Sequence, residues 1–130
     1  MNTYEAYLDH THGNTLPVEE ALQLYSDMVS SFEKWSLEDK DELWEDFLKD
    51  STEYAHTRAK WEFMTKEEKA EADPGRTTRH NSCIDHLNIF ARNIEKEGID
   101  CSWRKKLGDD RKRIGDFICF VTYITAISNR

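Results

Sequence analysis

The chain has 130 residues, enough for one domain that buries its own core without disulfides or a structural metal. Its 26 acidic and 18 basic side chains give a formal charge of −8, which disfavours nonspecific binding to nucleic acid or an acidic membrane. No apolar run approaches the roughly 18 residues that span a bilayer, and "MNTYEAYLDHTHGNT" lacks the basic start and apolar stretch of a secretory signal, so a cytoplasmic location is expected.

The charge is divided along the chain. Residues 1–75, a polar lead-in over 1–14 and an acidic half over 15–75, hold 19 acidic and 7 basic side chains, a net of −12. Residues 76–130 hold 7 acidic and 11 basic ones, a net of +4. A basic protein surface is the natural partner of the first part. Cys83, Cys101 and Cys119, odd in number and 18 residues apart, match neither a disulfide scaffold nor a CxxC motif and are expected to be reduced packing residues.

The first helix is expected to start around Thr15 and Pro17, with Glu19 and Glu20 in its first turn. Val18, Ala21, Leu22, Tyr25, Met28, Val29, Phe32 and Trp35 form its apolar stripe. Ser36 and Asp39 make a capping box for a second helix, whose stripe of Leu43, Trp44, Phe47, Leu48, Ser51, Tyr54, Ala55, Ala59 and Met64 carries it to about Met64, roughly 40 Å. Thr65 and Glu68 form another box that opens a short helical turn, which Asp73, Pro74 and Gly75 are expected to end.

A third long helix is expected from about Thr77, with Ile84, Leu87, Phe90, Ala91 and Ile94 inward and Gly98 as its carboxy-terminal cap. The loop "IDCSW" then leads to a basic island, "RKKLGDDRKRIGDF". The following "RIGDFICFVTYITAISNR" is apolar nearly all round, from Ile114, Phe117, Ile118, Val121 and Ile124 to Phe120, Tyr123 and Ile127. Its β-branched residues also permit a strand, but an otherwise helical chain would leave that strand unpaired. The expected fold is therefore all-α: one domain over 1–130, a bundle of four to five helices around a central hydrophobic C-terminal helix.

No Gly-rich phosphate loop and no GxSxG elbow occurs in the sequence, and 26 acidic residues hide any catalytic carboxylate pair. No catalytic residue is assigned, and a non-enzyme is expected. "HNSCIDH" sets His80, Cys83 and His86 at three-residue steps on a helix, a tentative zinc cluster needing a ligand from elsewhere; no cofactor is otherwise required. His10 and His12, and Glu53 with His56, are weaker metal pairs.

On the second helix Glu38, Asp41, Glu42, Glu45, Asp46 and Asp50 follow the outward face, a negative ridge able to enter a basic groove built for nucleic acid. Of these, Glu38, Asp41, Glu42, Glu45 and Asp46 are the candidate partner-binding residues. The island supplies an alternative nucleic-acid patch of Trp103, Arg104, Lys105, Lys106, Arg111, Lys112 and Arg113, with Trp103 placed to stack on a base. A plainer reading pairs the island with the chain's own acidic half and lets Asp109 and Asp110 cap the last helix. Trp61 and Phe63, out of phase with the second helix, suit either the core or a dimer.

The strings "TRAKWEFMTKEEKAEADPGRT", "HN" at 80–81, "WRKKLGDD" and "RKRIGDF" resemble an uncharacterised family of small proteins from conjugative elements and prophages of Firmicutes. The resemblance covers about residues 57–130 and implies a genetic setting rather than a mechanism. Anti-CRISPR and anti-restriction proteins, often small, acidic and non-enzymatic, share that setting. Taken with the −12 half and the absence of catalytic motifs, that setting leads to the expectation of an accessory protein that binds a bacterial defence nuclease of the Cas9 type and blocks nucleic-acid loading. A regulatory protein binding nucleic acid through 104–113 and a metal-binding protein are the alternatives.

Overall fold

The computed structural model describes residues 15–128, with side chains through residue 126. It has five α-helices and, among the described residues, no strand: α1 (Val18–Lys34), α2 (Lys40–Lys60), α3 (Lys66–Glu95), α4 (Ser102–Leu107) and α5 (Arg111–Ser128). A 3-10 turn, Trp61–Phe63, links α2 to α3. The all-α expectation holds, and α5 is the central helix, its residues Ile114 to Val121 all buried. His10, His12 and the side chain of Ile127 lie outside what is described.

Local chemistry explains where the helices depart from expectation. In α1, Leu24 is buried and Leu22 is half exposed, so the inward stripe runs Ala21, Leu24, Met28 and Ser31. Thr15 does not cap this helix; Pro17 holds the cap position, and the Thr15 hydroxyl donates instead to Asp116. Ser36 does not cap α2 either. Its N–H and hydroxyl both donate to the Glu97 carboxylate, at 3.1 and 2.8 Å, a charge-assisted pairing stronger than a neutral cap. Asp39 takes the cap position, and α2 stops at Lys60 rather than Met64.

The largest departure is at Pro74. No break occurs there: α3 runs through it as one 30-residue helix opened by the expected Thr65–Glu68 capping box. An interior proline costs about 3 kcal/mol through its missing N–H and its clash with the preceding turn. Here Pro74 and Ala70 are exposed, so water can serve the orphaned carbonyl. Cations on both sides of Pro74 also reach one ring: Lys69 Nζ and the Arg76 guanidinium lie 6.0 and 4.0 Å from the centre of Trp61. Trp61 thereby spans the weak point, while Phe63 is exposed. The helix ends at Glu95 with Lys96, not Gly98, at the cap position; Gly98, at φ 77°, turns the chain two residues later, its N–H donating to the Glu95 carbonyl.

Residues 102–107, expected in a loop and basic segment, form α4 instead, and Gly108 at φ 79° ends it. Trp103 is 1% exposed and donates its indole N–H to Ser31 Oγ at 3.0 Å. Asp110 does cap α5, accepting from the Arg113 N–H at 3.0 Å. Cys83, Cys101 and Cys119 are all buried thiols.

Two clusters hold the bundle. At one end Phe90 of α3 has Phe32, Trp35, Trp44, Phe47 and His86 around it, with ring centres 5.5–6.3 Å away. At the other, Arg58 of α2 forms a buried ion pair with Asp116 of α5, their side chains 2% and 0% exposed. Gly115 permits this approach: a Cβ there would lie 2.6 Å from Tyr54 Oη and 2.7 Å from an Arg58 nitrogen. The α5 stretch read as purely apolar therefore carries a buried charge. Replacing Gly115 with Ala should cost about 1–3 kcal/mol in urea unfolding, because Arg58 is held by its partner and cannot yield. Arg58→Met should cost about 3–5 kcal/mol by stranding a buried carboxylate. Two unchanged midpoints would contradict this packing.

Candidate functional site

Helix α2 carries a different surface at each end. At its amino end the turn after α1 is fastened from two sides. Lys40 Nζ donates to the carbonyls of Phe32, Glu33 and Trp35 at 3.1, 3.0 and 3.0 Å, closing the last turn of α1 with a cation where the helix dipole favours one. Glu97, just past α3, holds Ser36. On this fixed base Glu38, Asp41, Glu42, Glu45 and Asp46 are all exposed, and none forms an ion pair among the described residues. Trp44 and Phe47 project from the opposite side of the helix onto Phe90, so the ridge stands on a packed aromatic layer. Asp50 does not belong to it: that carboxylate accepts from Ser82 and lies 3.8 Å from Arg79.

Beside the ridge is a depression of about 490 Å³ between Trp35, Leu37 and Leu43 on one wall and Asn93, Lys96 and Glu97 on the other. Leu37 is 39% exposed at its edge. A hollow with Trp35, Leu37 and Leu43 on one wall and polar side chains on the other, next to the carboxylate ridge, has the make-up of a protein-docking surface with an apolar centre and a charged rim.

At its carboxy end α2 meets the first turns of α5 and the middle of α3 around a second cavity, of about 290 Å³. Tyr54, Arg58, Arg76, Thr77, His80, Arg111 and Lys112 line it, and among the described residues no carboxylate does. Burial alone would favour a neutral Arg58, but Cys119, Tyr54 and Asp116 around it hold its pKa above the ordinary arginine value. Burial pushes the Tyr54 phenol up to about 12. His80 is 4% exposed and its Nε2 lies 3.1 Å from the Arg111 carbonyl. Burial holds its pKa below the usual value, against the raising effect of that hydrogen bond and with help from the charges of Arg111, Arg58 and Arg76. Two buried polar atoms here have no hydrogen-bond partner, Arg58 Nε and His80 Nδ1.

The basic island does not form one patch. Arg113 pairs with Glu20, whose pKa that bond lowers, and Arg104 bonds Asn88, the Gly108 carbonyl and Asp109. Lys105 and Lys106 are exposed on α4, whereas Arg111 and Lys112 face the cavity. Trp103, inside the core, has no face for a base, so the expected stacking site is not presented. The internal pairing of the island with the acidic half is realised at Glu20.

The tentative zinc residues are separated by their bonds. His80 turns to Arg111, His86 Nδ1 lies 2.9 Å from the Ser82 carbonyl, and Cys83 is fully buried with its thiol pKa raised, chiefly by burial. Among the described residues no three His, Cys, Asp or Glu side chains gather closely enough to hold a metal ion. Glu53, expected to act with His56, pairs with Arg79. No described helix is long and apolar enough to cross a membrane.

Sequence reasoning located the ridge and missed the cavity. Compared with known proteins, the chain matches no family model, no curated protein and no solved structure.

The His80 environment has a measurable consequence. The unfolded chain takes up a proton at this residue near the ordinary histidine value of about 6.5, the native chain only at lower pH. The contribution of neutral His80 to stability is therefore complete above 6.5 and declines as pH falls below it. Thermal unfolding followed from about pH 7 to about pH 5.5 should show a falling Tm in the wild type and a flatter profile in His80→Gln. Parallel profiles would assign the dependence to other groups.

Proposed function

We propose that this protein is a non-enzymatic accessory protein of a mobile element that acts in the bacterial cytoplasm by binding a defence nuclease of the Cas9 type. It occupies a basic groove that otherwise receives guide or target nucleic acid. The observation that carries this reading is the row Glu38, Asp41, Glu42, Glu45 and Asp46, exposed and unpaired on a platform that Lys40 and Glu97 hold in place.

A fixed row of carboxylates enters a lysine- and arginine-lined groove without first being released from internal partners. The neighbouring hollow at Leu37 and Leu43 offers the apolar contact that gives such a complex a long residence time. The resemblance of residues 57–130 to proteins of conjugative elements and prophages supplies the setting in which such an inhibitor is useful.

The test is a pull-down with a guide-loaded Cas9-type effector at two salt concentrations, followed by DNA cleavage. Wild-type protein should capture the effector and suppress cleavage, more weakly at high salt. The triple variant Glu42→Lys, Glu45→Lys, Asp46→Lys should lose about tenfold or more in affinity while keeping its helical circular dichroism. Leu37→Ser should weaken binding without changing its salt dependence. Full inhibition by the triple variant would refute the reading.

A further inference from the structure

We infer that the basic cavity between α2, α3 and α5 is a binding site for a small phosphomonoester, independent of the docking ridge. Four cations border it: Arg58, Arg76, Arg111 and Lys112. Two carboxylates stand against them, Asp116 beneath Arg58 and Asp73 beside Arg76. Four less two leaves a surplus of two positive charges, that of a phosphomonoester dianion's complement. Hydroxyls of Tyr54 and Thr77 add neutral donors. The volume, about 290 Å³, sits at the small end of ligand sites and suits a phosphate on a body of sugar size.

The unpartnered atoms point to the same ligand. Arg58 and His80 are 2% and 4% exposed, yet Arg58 Nε and His80 Nδ1 are left without partners in the wall of a cavity. Native proteins rarely leave such buried groups unmet. Arg58 Nε–H is a donor suited to a phosphate oxygen, met as the cavity wall adjusts around the ligand, since the nitrogen is covered in the free chain. His80 is more particular. Its Nε2 faces a carbonyl, which can only accept, so neutral His80 carries its hydrogen on Nε2 and leaves Nδ1 a bare acceptor.

A phosphate oxygen at Nδ1 therefore needs one proton between them. It comes either from protonation of His80 or from the ester's own second ionisation, near pH 6. The other groups facing His80 are the cations Arg58, Arg76, Arg111 and Lys112 and the phenol of Tyr54, whose pKa burial pushes up to about 12. The complex holds one proton more than its separated parts, so affinity rises as pH falls from about 8 to about 6.

The experiment is calorimetric titration and thermal shift of the full chain with ribose 5-phosphate and inorganic phosphate, against ribose and sodium chloride at matched ionic strength. Expected is saturable binding of ribose 5-phosphate, several-fold tighter at pH 6 than at pH 8, and no effect of ribose. The variant Arg76→Gln/Lys112→Gln should bind at least about tenfold more weakly. Lys105→Gln/Lys106→Gln, which removes as much charge elsewhere on the surface, should bind as the wild type does. No saturable binding, equal loss in both double variants, or binding of inorganic phosphate with exclusion of the ester would overturn the assignment. So would a short oligonucleotide binding equally well with and without a 5′-phosphate, since that result places a polynucleotide backbone on this surface. None of these outcomes bears on the ridge, whose test uses the nuclease.

Discussion

The buried ion pair between Arg58 and Asp116 fixes how this bundle can be assembled. A charge at 0% exposure tolerates only an alignment in which its partner meets it, so α2 and α5 have one register rather than a family of sliding ones. The Thr15 hydroxyl reaches the same carboxylate and ties the entry of α1 to α5. Tyr54 and His80 stack beside it, with ring centres 5.2 Å apart, and bring in α3. Replacing such a pair with apolar residues of equal volume is often neutral or better for stability. Its role here is specification: every packing that separates Arg58 from Asp116 strands a charge in a core otherwise built from leucine, isoleucine and aromatic rings.

The pair also explains the polarity of α2. Acidic residues crowd its first turns and Arg58 and Lys60 stand in its last, each sign where the helix dipole favours it. From Glu42 to Arg58 is 16 residues, about 24 Å along the axis. That is some three screening lengths at physiological salt, where a Debye length is about 8 Å. The ridge and the cavity therefore act as separate fields. A cationic surface approaching Glu42 and Glu45 does not feel the arginines at the far end, and an anion entering the cavity is not repelled by the ridge. One helix can serve two recognition surfaces of opposite sign without either neutralising the other.

How far this was readable from sequence depends on the range of each interaction. Periodicity located α1, α2, the second half of α3 and the burial of α5, because apolar spacing is a local signal averaged over many residues. It placed the ridge for the same reason, on the face opposite Trp44 and Phe47. Errors fell where a distant partner decided the outcome. Ser36 looked like a cap, but Glu97, 61 residues away, claims its hydroxyl. Pro74 looked like a stop, but Trp61 braces the helix on both sides of it. Trp103 looked available to a base, but Ser31, 72 residues away, receives its N–H. The ion pair had a faint signal: Arg58 falls on the inward stripe after Ser51, Tyr54 and Ala55, and Asp116 interrupts an apolar run. Two misplaced opposite charges on two buried faces are a reason to expect that they meet.

The basic island then has a structural meaning that its composition does not convey. Of its six cations, Arg113 binds Glu20 and two backbone carbonyls, and Arg104 locks the Gly108 turn. Arg111 and Lys112 are turned to the cavity. These four positive charges are spent on joining α4 and α5 to the bundle and on lining one hollow, which leaves little of the island to offset the acidic surface elsewhere. The carboxylates of the ridge have the opposite fate: their helix is secured by aromatic packing and by Lys40 donating to the carbonyls that end α1, and among the described residues none of them is drawn into an ion pair. A chain with a formal charge of −8 thus presents a strong negative field at the start of α2, because four cations of its basic island are engaged elsewhere.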